Sequence, residues 1–161
     1  MLAVSNSINI VEFLIEKNLS IAVSESVTGG LLSKTITDFG GSSKIFLGGI
    51  VSYSVFAKTH ILKVPQELIE KFGTVHPEIA KNMAINTLLL FNSDIAISTT
   101  GIAGPDSIEG KPVGLAYVGF AFKNDKNYVF EVNFTGNRDI IRNRIVDFTL
   151  NQLYKLLVGG Y

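Results

Sequence analysis

Apolar positions between residues 7 and 18, SINIVEFLIEKN, recur with a period near 3.6, so Ile10, Val11, Leu14 and Ile15 share a face opposite Glu and Lys. This predicts a helix. LSIAVS from Leu19 reads as a short buried strand, and the run LLSKTITDF after Gly29-Gly30 as a second helix ended by Gly40-Gly41. IFLGGIVSYS predicts a second strand, and VPQELIEKFG a short helix opened by Pro65 and closed by Gly73. From His76-Pro77 onward Ile79, Ala80, Met83, Ala84, Leu88 and Phe91 keep helical spacing, which predicts a helix over 77–91 with His76 as its cap. DIAIST at 94–99 is a buried strand, and TGIAGP is the loop leaving it. GLAYVGFAF and NYVFEVNF flank the turn signal KNDKN as an antiparallel hairpin, and residues 139–157 form a long amphipathic helix. The order αβαβααβββα predicts a three-layer α/β/α sandwich on a mixed sheet of about five strands. With no internal repeat or linker in the sequence, residues 1–161 read as a single domain.

Composition narrows the functions. Fourteen basic and 14 acidic residues cancel, so no global field draws the molecule to nucleic acid or to an anionic membrane. A 47% hydrophobic share beside 17% charged residues predicts apolar surface buried between copies, hence a homo-oligomer. Absence of cysteine removes disulfides, thiolate nucleophiles and Cys-ligated metals. His60 and His76 form no metal-ligating pattern, so neither a metal nor another cofactor is expected. The N-terminus lacks a basic region before its apolar residues, and no stretch has about 18 uninterrupted apolar positions. A cytoplasmic location is expected.

Loops at the carboxyl ends of strands are where open α/β sheets hold ligands, and three here carry reactive groups. In SESVTGG, glycines permit unusual backbone angles and the next helix offers free N–H groups, a place for an oxyanion or phosphate. A hydroxyl there is a nucleophile, or Ser26 or Thr28 simply caps the helix; the loop by itself leaves both readings open. In SYSVFAK a buried Lys58 could serve such a serine as base, with Tyr53 relaying or orienting the proton. The equally simple reading is a packed ring and a solvated amine. TTGIAGPDSIEGKPVG is too elaborate for a plain connector, yet matches neither a P-loop nor GxGxxG. GNRDIIRNR places Arg138, Arg142 and Arg144 around a helix start, where arginine pairs with phosphate or is merely solvated.

SESVTGGLL at 24–32, GSSKIFLGGIVSYSVFAK at 41–58, STTGIAGPDSIEGKPVG at 98–114 and the closing FTGNRDIIR together resemble the CinA C-terminal domain family, in its order and spacing. The resemblance implies hydrolysis of nicotinamide mononucleotide to nicotinic acid mononucleotide and ammonia by a stand-alone domain of the anticodon-binding-domain-like type. Ser26 matches the nucleophile of the family's ESCTGG motif, and Tyr53 and Lys58 match the tyrosine and lysine of YSNEAK. The implied mechanism has Lys58 accept the Ser26 proton, directly or through Tyr53, while N–H groups from Thr28, Gly29 and Gly30 hold the oxyanion. The loop with Thr100, Gly101 and Gly104, together with Arg138, would meet the nucleotide, Arg142 helping. The partner so implied is a small-molecule nucleotide.

Four departures from the family pattern stand out. Val27 replaces a Cys, Val55-Phe56 replaces Asn-Glu, Asn137 replaces an acid, and the loop at Asp106 is shorter. These support an alternative expectation, a member that binds a nucleotide or acts in assembly with weakened or lost catalysis. Nucleic-acid binding, the class suggested by the family's link to competence, lacks the basic stripe it would need.

Overall fold

The computed structural model describes residues 2–160, with side chains described from Ile10 onward. Helix α1 (Leu2–Lys17) is followed by β1 (Ile21–Glu25), α2 (Leu31–Thr37), β2 (Phe46–Val51), α3 (Gln66–Phe72), α4 (Pro77–Phe91), β3 (Ile95–Gly101), β4 (Leu115–Phe122), β5 (Asn127–Asn133) and α5 (Arg138–Val158). The element order is the expected one, with shifted boundaries. Helix α1 starts at Leu2 rather than residue 7, and Thr100 and Gly101 belong to β3 rather than to the loop after it. Lys58, expected in a loop, sits on a π-helical turn, Ala57–Ile61.

The five strands lie in the order β2-β1-β3-β4-β5, parallel between β2, β1 and β3 and antiparallel from β3 through β5. Alternation along the strands sorts large and small side chains onto opposite faces. Ile21 and Val23, Ile95 and Ile97, and Val118, Phe120 and Phe122 enter the main core with apolar residues of α1, α2 and α5. Ala96 and Ala121 instead pack with Ala84 of α4. That face is shallow enough for the Ala80 carbonyl to accept from Ser98 Oγ at 2.6 Å, and a Cβ added at Gly119 would lie 2.6 Å from the same oxygen. Small residues let α4 sit close, while bulky ones carry the three-helix layer.

Helix ends follow from local chemistry. His76 Nδ1 accepts from the Glu78 N–H ahead of α4, and Asn92 at φ 50° closes that helix. Burial first, and the Lys111 ammonium second, push the His76 imidazole down, which keeps it neutral and able to accept. Asn137 caps α5 through the Ile140 N–H, a role its side-chain oxygen performs as an aspartate would. Chain order reverses between β1 and β3, since β2 extends the sheet on one side and β4 on the other. The carboxyl ends of β1 and β3 thus form a topological switch point, where ligands bind in such sheets.

Candidate active site

Ser26 follows β1 directly and is held to the switch point by its N–H, which donates to the Thr99 carbonyl at 2.8 Å. Neither Ser26 nor Thr28 caps α2, which removes the capping alternative for this loop. Glu25 does so from the strand. Its fully buried carboxylate accepts from the N–H groups of Leu32 (2.8 Å) and Ser33 (3.0 Å), the Ser33 hydroxyl (2.6 Å) and the Thr28 hydroxyl (2.7 Å). A hydroxyl has one proton, so the 2.7 Å contact between Thr28 and Thr99 is donated by Thr99. The Leu32 and Ser33 N–H groups at the helix start are therefore taken by a side chain from inside the fold and are not free for a phosphate. Capping patterns look within about three residues, and Glu25 lies six before the first helical position; it was therefore missed.

Within the turn itself, the Gly29 N–H donates to the Ser26 carbonyl at 3.2 Å, which removes one expected oxyanion donor. Gly29 sits at φ +55°, and a Cβ there would lie 3.1 Å from Arg142 Nη2. Arg142 uses that space to donate to the Thr28 carbonyl at 2.6 Å. Its guanidinium thus ties α5 to the turn and does not line the cavity. Thr28, Gly29, Gly30 and Arg142 form the backing of Ser26, while Tyr53, Lys58, Thr100, Gly101, Gly104 and Arg138 line the same cavity as Ser26. Its volume is about 130 Å³. Thr74 and Val75, from the turn before α4, also line it and carried no sequence signal.

Lys58 is 1% exposed, and its Nζ donates to Ser26 Oγ at 2.9 Å and to the Ser52 carbonyl at 2.7 Å. Both partners are neutral. Burial pushes the ammonium down to about 8, and the Glu109 carboxylate partly opposes the fall. An amine in that range, in contact with a serine hydroxyl, can take its proton near neutral pH. Tyr53 stands elsewhere in the constellation. Its hydroxyl accepts from Arg138 Nη2 at 2.8 Å, and among the described residues no hydrogen bond joins it to Ser26 or Lys58. Of the two expected routes, direct or through Tyr53, the direct Ser26–Lys58 contact is the one formed. Arg138 Nη1 also donates to the Gly104 carbonyl at 2.6 Å, so the start of α5 is pinned to the loop after β3.

The remaining sequence candidates lie outside the cavity. Phe56 is exposed and stacks on His60 with ring centroids 4.2 Å apart, and Val55 is exposed beside it. His76 stacks on Phe72 while capping α4. Arg144 donates to the Thr135 carbonyl. Among the described residues no group of three or more His, Asp or Glu could hold a metal ion, and no helix is long and apolar enough to cross a membrane.

Comparison with known proteins agrees with this architecture. The model of the CinA C-terminal domain matches residues 5–157. A protein of Thermoanaerobacter pseudethanolicus named as competence-damage inducible is 51% identical over 148 residues, 91% of this chain and 36% of the relative. A Bacillus cytotoxicus protein of the same name is 42% identical, again over 91% and 36%. The chain thus spans about a third of the length of these curated relatives. Among solved structures, a CinA superfamily protein from Klebsiella pneumoniae superposes with a TM-score of 0.94 at 25% identity, covering 98% of each chain. A competence/damage inducible protein from Agrobacterium tumefaciens gives 0.92 at 31% identity, over 96% of this chain and 94% of its own. With the family model matched along nearly its whole length, this chain belongs to the CinA C-terminal domain family.

Proposed function

We propose that this protein hydrolyses the carboxamide of nicotinamide mononucleotide, with Ser26 as nucleophile and Lys58 as its base. The observation that carries the reading is the 2.9 Å contact between Ser26 Oγ and a Lys58 amine that is buried without a carboxylate bound to it. The nucleotide comes from the family resemblance, and the cavity supports it by size. About 130 Å³ is below the roughly 300–1,000 Å³ of sites that enclose a whole small ligand, so it takes the carboxamide-bearing ring. The sugar phosphate then lies at the mouth, within reach of the Arg138 guanidinium.

Ser26 Oγ attacks the carboxamide carbon as its proton passes to Lys58 Nζ. N–H groups of the turn other than that of Gly29 take the oxygen that becomes negative. When the C–N bond breaks, Lys58 returns the proton to the leaving nitrogen and ammonia departs. Water then attacks the acyl carbon, giving its proton to Lys58, and Ser26 Oγ recovers that proton as the ester bond breaks. The products are nicotinic acid mononucleotide and a restored enzyme.

Val55 and Phe56 are exposed and do not line the cavity, which favours retained catalysis over the reading as a binding-only member. Purified protein is expected to release ammonia from nicotinamide mononucleotide, with Ser26→Ala lowering the rate at least a hundredfold, the scale of lost nucleophile-and-base chemistry. Release no faster than the Ser26→Ala control overturns the proposal.

A further inference from the structure

Part of the cavity wall comes from outside the sheet. Thr74 and Val75 belong to the turn between α3 and α4, and a single cluster fastens that turn to the loop after β3. Glu109 Oε1 accepts from the Thr74 N–H at 2.9 Å and the Thr74 hydroxyl at 3.0 Å. Lys111 Nζ donates to the carbonyls of Phe72 (2.9 Å) and Val75 (2.7 Å) and to Glu109 Oε2 (3.1 Å). Thr100 Oγ1, on β3, donates to the Thr74 carbonyl at 2.8 Å. Gly73 completes the fit: it sits at φ +76°, and a Cβ there would overlap the Glu109 carboxylate. Burial by itself would raise the Glu109 carboxyl, but the Thr74 N–H, the Lys111 ammonium and the Thr74 hydroxyl outweigh it and hold it below the usual range. Glu109 is therefore ionised wherever the protein works near neutral pH.

We infer that Glu109 is a positioning residue for the Ser26–Lys58 pair: one carboxylate fastens the α3–α4 turn as a wall of the cavity and keeps a negative charge behind that wall. The wall and the place of the charge both rest on the Glu109–Thr74–Lys111 bonds, and that charge favours protonated Lys58 against burial. Other ionisable groups surround the pair without taking that place. His60 shares the π-helical turn of Lys58, Tyr53 comes from the exit of β2, Asp106 and Lys111 from the loop after β3, His76 from the start of α4, and Arg138 from α5. Of these and Glu109, Glu109 is the charge that registers on Lys58. The fold thereby balances two opposed influences on one amine, burial that frees its electron pair and a fixed anion that limits how far.

The inference rests on Lys58 serving as the base, and its test is arranged to be read without turnover. Lys58 is titrated through its side-chain carbon resonance in lysine-labelled protein, the signal being assigned by its loss in Lys58→Arg. Amide exchange at Thr74 reports the wall. Glu109→Gln removes the charge but keeps an acceptor for the Thr74 N–H. It is expected to move the Lys58 midpoint below its wild-type value of about 8, with Thr74 exchange little changed. Glu109→Ala removes both, so the same shift should come with Thr74 exchange about tenfold faster and, in the ammonia assay, a raised KM. Glu109→Asp keeps the charge and should hold the midpoint, which separates electrostatics from general damage. An unchanged midpoint in both Gln and Ala variants, an equal shift in the Asp variant, or unchanged Thr74 exchange in Glu109→Ala overturns the inference. Failure of all forms to release ammonia overturns the proposed substrate instead, since titration and exchange still report.

Discussion

Lys58 gains reactivity from the same burial that makes it costly. With its folded value near 8 against 10.5 when exposed, the unfolded chain binds more protons between those limits, so stability rises with pH across that window and is diminished below it. The shift corresponds to a destabilisation on the order of 3 kcal/mol at neutral pH relative to pH above 10.5. Lys58→Met, which keeps the stem and drops the amine, is therefore expected to be inactive yet about 1–3 kcal/mol more stable at pH 7, read as a higher denaturation midpoint. A less stable variant would mean that the amine is held by more than its two hydrogen bonds. In the wild type, kcat/KM should rise about tenfold per pH unit below pH 8 and level off above it, following the neutral amine. Ser26, Tyr53, Lys58 and Arg138 were legible in the chain because each sits in a short motif. Glu109 was not, because Thr74, the residue it fastens, lies 35 residues away in another part of the chain.

At the scale of elements, the turn that carries Ser26 is stiffened from three sides: Glu25 from the strand before it, Arg142 from α5, and Thr99 from β3. Glu25 is the member whose loss leaves most unsatisfied, since two N–H groups, that of Leu32 buried, and two hydroxyls point at it. Glu25→Ala should cost about 2–5 kcal/mol in urea unfolding, a range set by charge-assisted bonds and orphaned donors. It should also lower kcat more than KM, because Ser26 loses its fixed position. The opposite face of the sheet makes a different demand. Gly119→Ala would press a methyl against the Ala80 carbonyl and Ser98 Oγ, lifting α4 from β4, and should destabilise by about 1–3 kcal/mol in the same assay. Periodicity located every one of these elements, as the 77–91 helix shows to the residue, because burial on one face leaves a regular trace. It could not tell that a strand carboxylate would cap the helix beyond it.

For the whole molecule, the cavity is a property of the assembled sheet. Its lining comes from the ends of β1 and β3, the exit of β2, the π-helical turn, the α3–α4 turn and the start of α5. No one segment carries a working fragment, so enzymatic activity and far-UV circular dichroism should vanish in one coincident urea transition. Nicotinamide mononucleotide at a hundred times its dissociation constant should raise stability by about 2.7 kcal/mol if it binds only the folded form. From the sequence by itself came the element order, the α/β class, the hydroxyl, amine and guanidinium of the site, and a resemblance spanning the chain. These are written in local periodicity and in short motifs, whose range is a few residues. Only the tertiary structure decided that Lys58 is buried against Ser26 without a relay, that Tyr53 belongs to Arg138, that Arg142 braces rather than binds, and that Glu25 and Glu109 fix the turn and the wall. Each depends on which strand ends meet at the switch point and on how much water they exclude, and neither quantity exists until the sheet has closed.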